Sequence, residues 1–508
     1  MATNKKNRPG VKATNNLRKS TRLSLEPLES RDLMSVNSLF FSGSTLVVHT
    51  DNSSTSADVR QVGSNYVIDD LSTHRSWTFA ANKVAAVQFQ GGAGNDRFVD
   101  NVRYLPVQCY GAGGNDYLEG YDAADYFDGG AGNDTLVGYG GNDIMFGGSG
   151  NDTLLGMAGD DQLVGGDGDD HLNGGAGKDK LWGGNGNDVL IAIDANTSDY
   201  VEGGAGRDTI WVDTNPRFMN TPFGNFRIGD VTDQVYGATA EDKVQNVAGF
   251  ADGADRTLDG DRLAGPTLKA GQTRRQFNGP LFASDGPQPG DVVQGQLGDC
   301  YLLAGLGGIA LDDPNAIRQN VVDFDDGTYG VRMGDKFYRV DNNLAVSSTS
   351  STSPAFAQLG HQNSMWVAAV EKAFAEYRTG ANSYASIEGG WSVEINRAWG
   401  TTNPGDRDIH SYSNATALAN DLYTEWSNHR AVTIGFLSGD GSAPLVMSHM
   451  YTVMQVNRNS AGVVTSIVLR NPWGVDGAGN DSNPYDGLVT VTPDQLFRQN
   501  GRVNWGAV

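Results

Sequence analysis

The chain has 508 residues, of which 68 are glycine and only two are cysteine. This length predicts more than one domain and allows a sizeable buried core. The net charge of −23 argues against nucleic acid and anionic membrane surfaces as partners, because they carry the same sign, and it suits a protein that binds divalent cations. No apolar run approaches the about 18 residues of a membrane span, so no span is expected.

The first 35 residues are predicted to be a disordered, targeting-like segment. They start with a basic, polar stretch but contain no apolar region, so an ordinary signal peptide is not expected. The stretch LEPLESRDLMS (Leu25–Ser35) resembles LE-x-LE-x-R-x-L, a short N-terminal element of many exported proteins of planctomycete bacteria. The resemblance implies an extracellular or cell-surface location, with the cytoplasm as the alternative.

Residues 36–90 contain short alternating, β-branched runs that predict strands leading into a solenoid. Residues 91–211 form a repeat region. From Gly111 to Gly183, nine units start with glycine at intervals of nine residues, with Asp at every sixth position and a large apolar residue at every eighth. A flexible linker would not hold apolar residues in one phase, so the repeats predict a packed structure.

The repeat also carries a metal-binding chemistry. Glycines permit tight turns with inward carbonyls, and the aspartate adds a carboxylate, so each unit offers the oxygen ligands that calcium prefers. The unit resembles the G-G-x-G-x-D-x-U-x repeat of the repeats-in-toxin (RTX) calcium-binding β-roll. If one coil uses two units, each ion lies between units 18 residues apart. The expected calcium ligands are Asp116, Asp134, Asp143, Asp152, Asp161, Asp170, Asp179 and Asp188.

One unit departs from the template. Ala123 replaces its fourth-position glycine, and alanine would strain a left-handed turn there, so a weak or missing ion is expected at Asp125. Residues 212–274 lose the periodicity and are predicted to be a linker, with a short helix within Ala238–Phe250.

Cys300 lies in the stretch DVVQGQLGDCYLLAGLGGIA (Asp291–Ala310). Leu302, Leu306 and Ile309 have helical spacing, and Asp299 is a good helix cap, so Cys300 is expected in a first helical turn. The helix dipole should then lower the pKa of its thiol. A buried, inert cysteine is the alternative from this stretch alone.

Three motifs resemble calpain-type cysteine proteases, in the order of that family. QGQLGDCYLLAGL (Gln294–Leu306) implies that Cys300 is the nucleophile and that Gln294 builds the oxyanion hole. SHMYTVMQVN and IVLRNPWG imply that His449 is the base and that Asn471 orients it, although Ser448 replaces the family's glycine. The third match is residues 364–394, on a structural helix.

The resemblance covers residues 275–508 and implies an α+β papain-like protease domain after an all-β β-roll. The expected function is a calcium-dependent cysteine endopeptidase acting on protein or peptide substrates. Acyl transfer, as in transglutaminases, is less favoured, because their third residue is Asp and this chain has Asn471. A surface-binding or adhesive β-roll with a weak or silent protease is the other alternative. Direct calcium control of the protease, near Asp291, and the oligomeric state stay open.

Overall fold

The computed structural model describes residues 36–194, 198–221, 224–251, 265–475 and 487–507, and the side chains of residues 214–232 are outside the description. The predicted N-terminal element Leu25–Ser35 also lies outside the described residues. The described chain forms an N-terminal β-solenoid followed by a domain of mixed helix and sheet, which confirms the predicted fold class.

The solenoid is built from short strands joined by turns. Its strands are β1 (Ser38–Ser42), β2 (Thr45–His49), β3 (Ser56–Val62), β4 (Asn65–Asp70), β5 (Arg75–Ala80), β6 (Ala86–Gln90), β7 (Arg97–Asn101), β8 (Val107–Gly113), β9 (Tyr117–Glu119), β10 (Tyr126–Ala131), β11 (Thr135–Val137), β12 (Ile144–Ser149), β13 (Thr153–Leu155), β14 (Gln162–Asp167), β15 (His171–Asn173), β16 (Lys180–Asn185), β17 (Val189–Ala192), β18 (Tyr200–Ala205), β19 (Thr209–Thr221), β20 (Gly224–Thr232), β21 (Gln234–Tyr236) and β22 (Lys243–Val247).

These strands form two facing sheets, of ten and twelve strands within the described residues. Leu136 pairs in parallel register with both Leu118 and Leu154, so one coil uses two nine-residue units. The eighth-position side chains point between the sheets. Each apolar side chain buried in this way contributes about 1.5–3 kcal/mol. The fully buried members are Leu118, Phe127, Leu136, Met145, Leu154, Leu163, Leu172, Leu181 and Leu190.

The solenoid continues into the segment predicted to be a linker. Strand β21 pairs in parallel with β18, and β22 pairs in parallel with β19. The predicted helix within Ala238–Phe250 is wrong, because β22 occupies that stretch. Strand β22 keeps a short alternating pattern, although the nine-residue spacing has ended. Val244 packs against the solenoid core, and Val247 is fully buried in the cluster around Trp211.

The second domain has six helices and eleven strands within the described residues. They are β23 (Thr273–Gln276), α1 (Cys300–Asp312), α2 (Pro314–Arg318), β24 (Val321–Asp323), β25 (Thr328–Met333), β26 (Lys336–Asp341), β27 (Asn343–Val346), α3 (Trp366–Tyr377), α4 (Val393–Ala398), β28 (Thr402–Asp408), α5 (Ala415–Ser427), β29 (Arg430–Ser438), β30 (His449–Arg458), β31 (Val464–Arg470), β32 (Leu488–Val491), α6 (Pro493–Phe497) and β33 (Asn500–Ala507).

Helix α1 is the central element of this domain. All residues from Tyr301 to Ala310 are buried, so the helix is covered on every side. One apolar core surrounds α1 and α3, and a second lies on the sheet ordered β28-β33-β29-β30-β31-β32. The first residue of α1 therefore lies where the two cores meet. Across the described residues, no helix combines the length and apolar character needed to cross a bilayer.

The solenoid and the second domain share a small core of their own. Trp211 of β19 is fully buried and packs edge-on against Phe324 and Phe337. Beside it, Asn173 of β15 donates to the Phe324 carbonyl at 3.1 Å, and His171 lies 2.9 Å from the Asp325 carboxylate. The two domains are thus packed together rather than joined only by the chain.

Candidate active site and calcium sites

A cavity of about 570 Å³ opens where the two cores of the second domain meet, and it is called the cleft from here on. Three of the four predicted catalytic residues line it: Cys300 at the start of α1, His449 at the start of β30 and Gln294 in the loop before α1. The fourth, Asn471, follows β31 directly and is fully buried behind His449. The fold therefore brings together residues from three distant parts of the sequence.

His449 and Asn471 are joined by a hydrogen bond of 2.8 Å between Nε2 and Oδ1. The same Oδ1 atom accepts the backbone N–H of Trp473 at 2.9 Å, which identifies it as the amide oxygen. His449 must therefore donate from Nε2, and its Nδ1 atom keeps a free lone pair. The ring of Trp473 packs over the imidazole with a centroid distance of 4.4 Å. Burial lowers the pKa of His449, so a neutral imidazole is favoured.

Cys300 begins α1 as predicted, but its ionisation differs from the prediction. Burial raises the pKa of the thiol to about 11, and the neighbouring Asp299 adds to the rise. Backbone N–H groups act in the opposite direction. Those of Tyr301 and Cys300 do so as the helix-dipole argument expects, and that of Met450 does so from β30, but burial outweighs them. Asp299 does not cap the helix through its side chain. The resting thiol is therefore neutral.

Gln294 is held tightly on the wall of the cleft. Its backbone N–H donates to the Pro472 carbonyl at 2.7 Å, which ties it to the loop that carries Asn471. Its side-chain Nε2 donates to the Leu297 carbonyl and, at 3.3 Å, to the Asp299 carboxylate. The amide nitrogen thus has fixed partners, and its orientation depends on Asp299.

Ser448 adopts a left-handed backbone conformation with φ of 56° directly before His449. Its side chain is exposed and lines the cleft, where the resemblance expects glycine. Ser448 thus lies at the mouth of the cleft, while the hydrogen bond between His449 and Asn471 remains intact.

Asp291 is enclosed by protein donors. Its carboxylate accepts the indole N–H of Trp366 at 2.9 Å and the backbone N–H groups of Gln288 and His361 at 2.9 and 3.1 Å. The imidazole of His361 also contacts it. These donors satisfy the carboxylate without a metal ion.

The eight aspartates predicted to bind calcium form two ladders along the solenoid. Oδ1 of each accepts the backbone N–H of an aspartate one coil earlier. The separation is 18 residues, as for Asp134 and Asp116 at 2.7 Å, except that Asp116 accepts from Asp96, 20 residues earlier. Oδ2 of each is buried and has no donor within the described part of the chain. Burial raises the pKa of these side chains, to about 7 in Asp116 and about 8 in Asp143 and Asp188.

The space beside most of these Oδ2 atoms suits a cation. A Cβ atom placed on Gly111 would lie 2.1 Å from Oδ2 of Asp116 and 2.6 Å from the carbonyl oxygen of Gly129. Glycine thus leaves a gap where a carboxylate oxygen and a carbonyl oxygen from the next coil face each other. Oxygen ligands of this kind fit calcium. No three His, Cys, Asp or Glu side chains cluster around a metal position in the described residues, so backbone carbonyls must complete each shell.

The Asp125 unit departs from its neighbours, although not by the mechanism expected. The equivalent fourth-position glycines Gly114 and Gly132 have φ of 104° and 127°, but Ala123 is not among the positive-φ residues of the described chain. Oδ2 of Asp125 faces the backbone N–H of Tyr121 at 3.4 Å instead of being left without a donor. The backbone avoids the strain by changing conformation.

Sequence reasoning missed two members of the ladders. Asp199 and Asp208 accept from the N–H groups of Asp179 and Asp188 at 2.7 and 3.0 Å, and both have a buried Oδ2 without a described donor. The spacing has grown to 20 residues there, so the nine-residue register no longer points to them. The final copy GGAGRDTIW, which contains Asp208, was the available signal.

Comparison with known proteins yields two families. Residues 271–484 match the family described as calpain family cysteine protease. Residues 110–136, 119–154, 155–190 and 195–213 match the RTX calcium-binding nonapeptide repeat. The chain thus has a calpain-like cysteine protease domain and calcium-binding RTX repeats. Calcium is the ion that the repeats indicate.

Individual relatives are similar over less than half of the chain. The calpain-type cysteine protease DEK1 of Arabidopsis thaliana is 31% identical over 225 residues, which are 40% of this chain and 10% of that protein. The calpain-1 catalytic subunit of Sus scrofa is 28% identical over 252 residues, or 43% of this chain and 33% of that protein. Calpain-12 of Homo sapiens is 29% identical over 239 residues, 43% of this chain and 32% of that protein. The chain thus covers between a tenth and a third of these relatives.

Proposed function

We propose that the protein is a calcium-dependent cysteine endopeptidase that hydrolyses peptide bonds through Cys300, His449 and Asn471. The observation that carries the proposal is the fixed tautomer of His449, held by Asn471 within a cleft that Cys300 also lines. The similarity of the protease region to calpain-type cysteine proteases supports the same reaction.

The reaction starts from a neutral pair. Nδ1 of His449 takes the proton of the Cys300 thiol as the sulfur attacks the substrate carbonyl, and the imidazolium is stabilised by Asn471. The backbone N–H of Cys300 donates to the oxygen that becomes negative, and the Gln294 amide joins it when the N–H that now donates to the Leu297 carbonyl turns to the substrate. His449 then gives its proton to the leaving amine. Water, activated by the same histidine, hydrolyses the thioester and regenerates the thiol.

Calcium belongs to the solenoid in this proposal. The Oδ2 atoms of the two aspartate ladders and the facing glycine carbonyls would hold it, and bound calcium supplies positive charge that offsets the stacked carboxylates. The solenoid packs on the protease domain through Trp211, so calcium-dependent order of the solenoid reaches the protease through that contact. RTX repeats also suggest a secreted protein, and we propose an extracellular or cell-surface location.

One feature of the solenoid favours a second function, binding to a surface. Rings of Tyr110, Tyr126 and Phe146 follow one another on the outer side of the ten-stranded sheet, with centroid distances of 5.5 and 5.9 Å. Phe146 is 37% exposed. Such a row supplies apolar contact area with little loss of side-chain entropy. In this alternative the β-roll is the working part and the protease is weak or silent.

The test is to incubate the purified chain with calcium, denatured casein and a lysine-analogue amine. The proposed function predicts casein fragments with new amino termini. Incorporation of the amine without fragments would indicate acyl transfer. Neither product would leave the binding function as the better account.

A further inference from the structure

Two carboxyl groups are buried directly behind the candidate nucleophile. Asp299, immediately before Cys300, is 0% exposed, and Glu371 on α3 is 2% exposed. Their side chains lie close enough to interact directly. Lys372, the residue after Glu371, pairs with Asp341. The proposed mechanism uses neither carboxyl group.

The hydrogen bonds around the pair require a proton. Both Glu371 oxygens accept the Ala357 N–H at 3.1 Å. Oδ1 of Asp299 accepts from Gln294 at 3.3 Å, but its Oδ2 is buried and no described N–H or hydroxyl donates to it. If both groups were ionised, two buried anions would face each other and Oδ2 would have no donor, a costly arrangement. One proton on Glu371 supplies the missing donor and removes one charge.

We propose that Asp299 and Glu371 are positioning residues that share one proton and thereby fix the Gln294 amide in the cleft, an inference that rests on the proposed function. The chain of contacts runs from the Ala357 N–H through Glu371 and Asp299 to Nε2 of Gln294. Gln294 is tied at its other end to the Pro472 carbonyl. The pair thus holds one N–H of the Gln294 amide, and the other, which now donates to the Leu297 carbonyl, is the one that we expect to turn to the oxyanion.

The shared proton makes the arrangement sensitive to alkaline pH. Burial raises the pKa of Glu371, with Asp299 adding to the rise, so the folded state holds this proton more tightly than the unfolded chain does. The contribution of the pair to stability is therefore full below the ordinary pKa of a glutamate, and it is lost as pH rises through the raised pKa of Glu371. We call this loss toward higher pH the alkaline decline. The other titratable or charged groups that face the pair are Glu388, Cys300, Tyr301 and Tyr384, and Tyr384 in turn faces Arg274 and Asp341.

The test compares three variants of the full chain with saturating calcium, measuring kcat and KM for a peptide substrate across pH. In Glu371→Gln the amide N–H still donates to Asp299 but cannot ionise. We expect kcat within about threefold of wild type at neutral pH, together with loss of the alkaline decline. Glu371→Leu has no donor, and kcat should fall on the order of 10- to 100-fold with little change in KM, since removing a whole oxyanion donor costs more.

Asp299→Asn is the reciprocal variant. Its amide accepts from Gln294 and donates to an ionised Glu371, so it should also keep kcat and lose the alkaline decline. Glu425→Gln, the same change on α5 in an ion pair with Arg430, is the control and should keep the wild-type profile. Two outcomes would contradict the shared proton. In one, Glu371→Gln is as inactive as Glu371→Leu; in the other, Glu371→Gln keeps the alkaline decline of the wild type.

A second measurement separates the pair from the protease assignment and covers a Glu371→Leu variant that fails to fold. The free energy of unfolding of the wild type should fall as pH rises through the pKa of Glu371, and that fall should be absent in Glu371→Gln. A wild type that cleaves nothing would overturn the proposed function. Identical pH dependence of stability in wild type and Glu371→Gln would overturn the shared proton, whatever the activity.

Discussion

The imidazole of His449 donates from Nε2 to Oδ1 of Asn471 over 2.8 Å, in a pair with almost no contact with water. His449 is 6% exposed and Asn471 is 0% exposed. Because the Asn471 oxygen also accepts the Trp473 N–H, the amide cannot turn without losing two hydrogen bonds. The free lone pair of the imidazole is therefore set by the fold before any substrate arrives.

Loss of this contact should slow the chemical step. Asn471→Ala should lower kcat roughly 10- to 100-fold with little change in KM, because the imidazole loses its fixed tautomer while the cleft keeps its shape. Steady-state kinetics on a peptide substrate measures both constants. Asn457→Ala, on the same strand as His449, is the matched control and should keep wild-type kcat. Equal activity in both variants would mean that Asn471 does not orient the base.

The neutral state of Cys300 predicts how the thiol reacts with an alkylating reagent. The pKa of about 11 means that the thiolate fraction, and so the labelling rate at Cys300, should rise steadily with pH between 6 and 9. Peptide mapping by mass spectrometry reports the rate at each cysteine. Cys109 is fully buried and should stay unlabelled in the folded protein. A fast labelling rate that does not change over this pH range would instead indicate a thiolate–imidazolium pair.

The position of Cys300 could be predicted from the sequence, but the direction of its pKa shift could not. Leucines at helical spacing placed Cys300 at the start of α1, and the structure agrees. The same reasoning gave the wrong direction for its pKa, because the helix dipole can be read from local sequence but burial cannot. Burial of Cys300 depends on packing against β29 and β30, which lie more than a hundred residues away. The pairing of Asp299 with Glu371 was inaccessible for the same reason.

The aspartate ladders predict unequal effects of single substitutions on calcium binding. Asp143→Ala removes a buried carboxylate oxygen that has no described protein donor, and it should lower the calcium stoichiometry or affinity measured by calorimetry. Asp125→Ala is the control from the atypical unit, where Tyr121 already faces the oxygen, and its effect should be smaller. Equal losses in the two variants would mean that the unpartnered oxygens are not ligands.

Calcium affinity should also depend on pH. Burial raises the pKa of Asp143 and Asp188 to about 8, so without the ion these groups are largely protonated at neutral pH. Calcium must displace those protons, and binding should weaken as pH falls from about 8 to 6. Titrations at several pH values, with proton release followed in weak buffer, measure this. Affinity that is constant over the range would place the bound ions elsewhere.

The repeat register explains both the success and the limit of the solenoid prediction. Nine-residue spacing located the eight ligand candidates and the buried leucines, because each side chain in a parallel coil lies over its counterpart 18 residues away. Asp208 accepts from Asp188 across 20 residues, and Asp208 itself donates its N–H to Asp242 across 34. Longer loops between these strands preserve the coil but change the number of residues in it, so the nine-residue repeat disappears from the sequence. The end of the solenoid could therefore be found only from strand pairing.

The contact between the domains predicts a stability effect. Trp211→Ala should destabilise the calcium-loaded protein by about 3–5 kcal/mol, because it empties a buried aromatic cluster shared by solenoid and protease. Thermal unfolding followed by calorimetry should then separate into two transitions. Trp182→Ala, on the outer side of β16, is the control and should leave a single transition. Unchanged unfolding in Trp211→Ala would show that the two domains are stable independently of this cluster.

The most direct test of the account is cleavage of denatured casein by the wild type, Cys300→Ala and Cys109→Ala, each with calcium and with chelator, read as new amino termini by mass spectrometry. Fragments are expected from the wild type and from Cys109→Ala when calcium is present, and none from Cys300→Ala. Fragments from Cys300→Ala at the wild-type rate would contradict the assignment of the nucleophile and of the reaction.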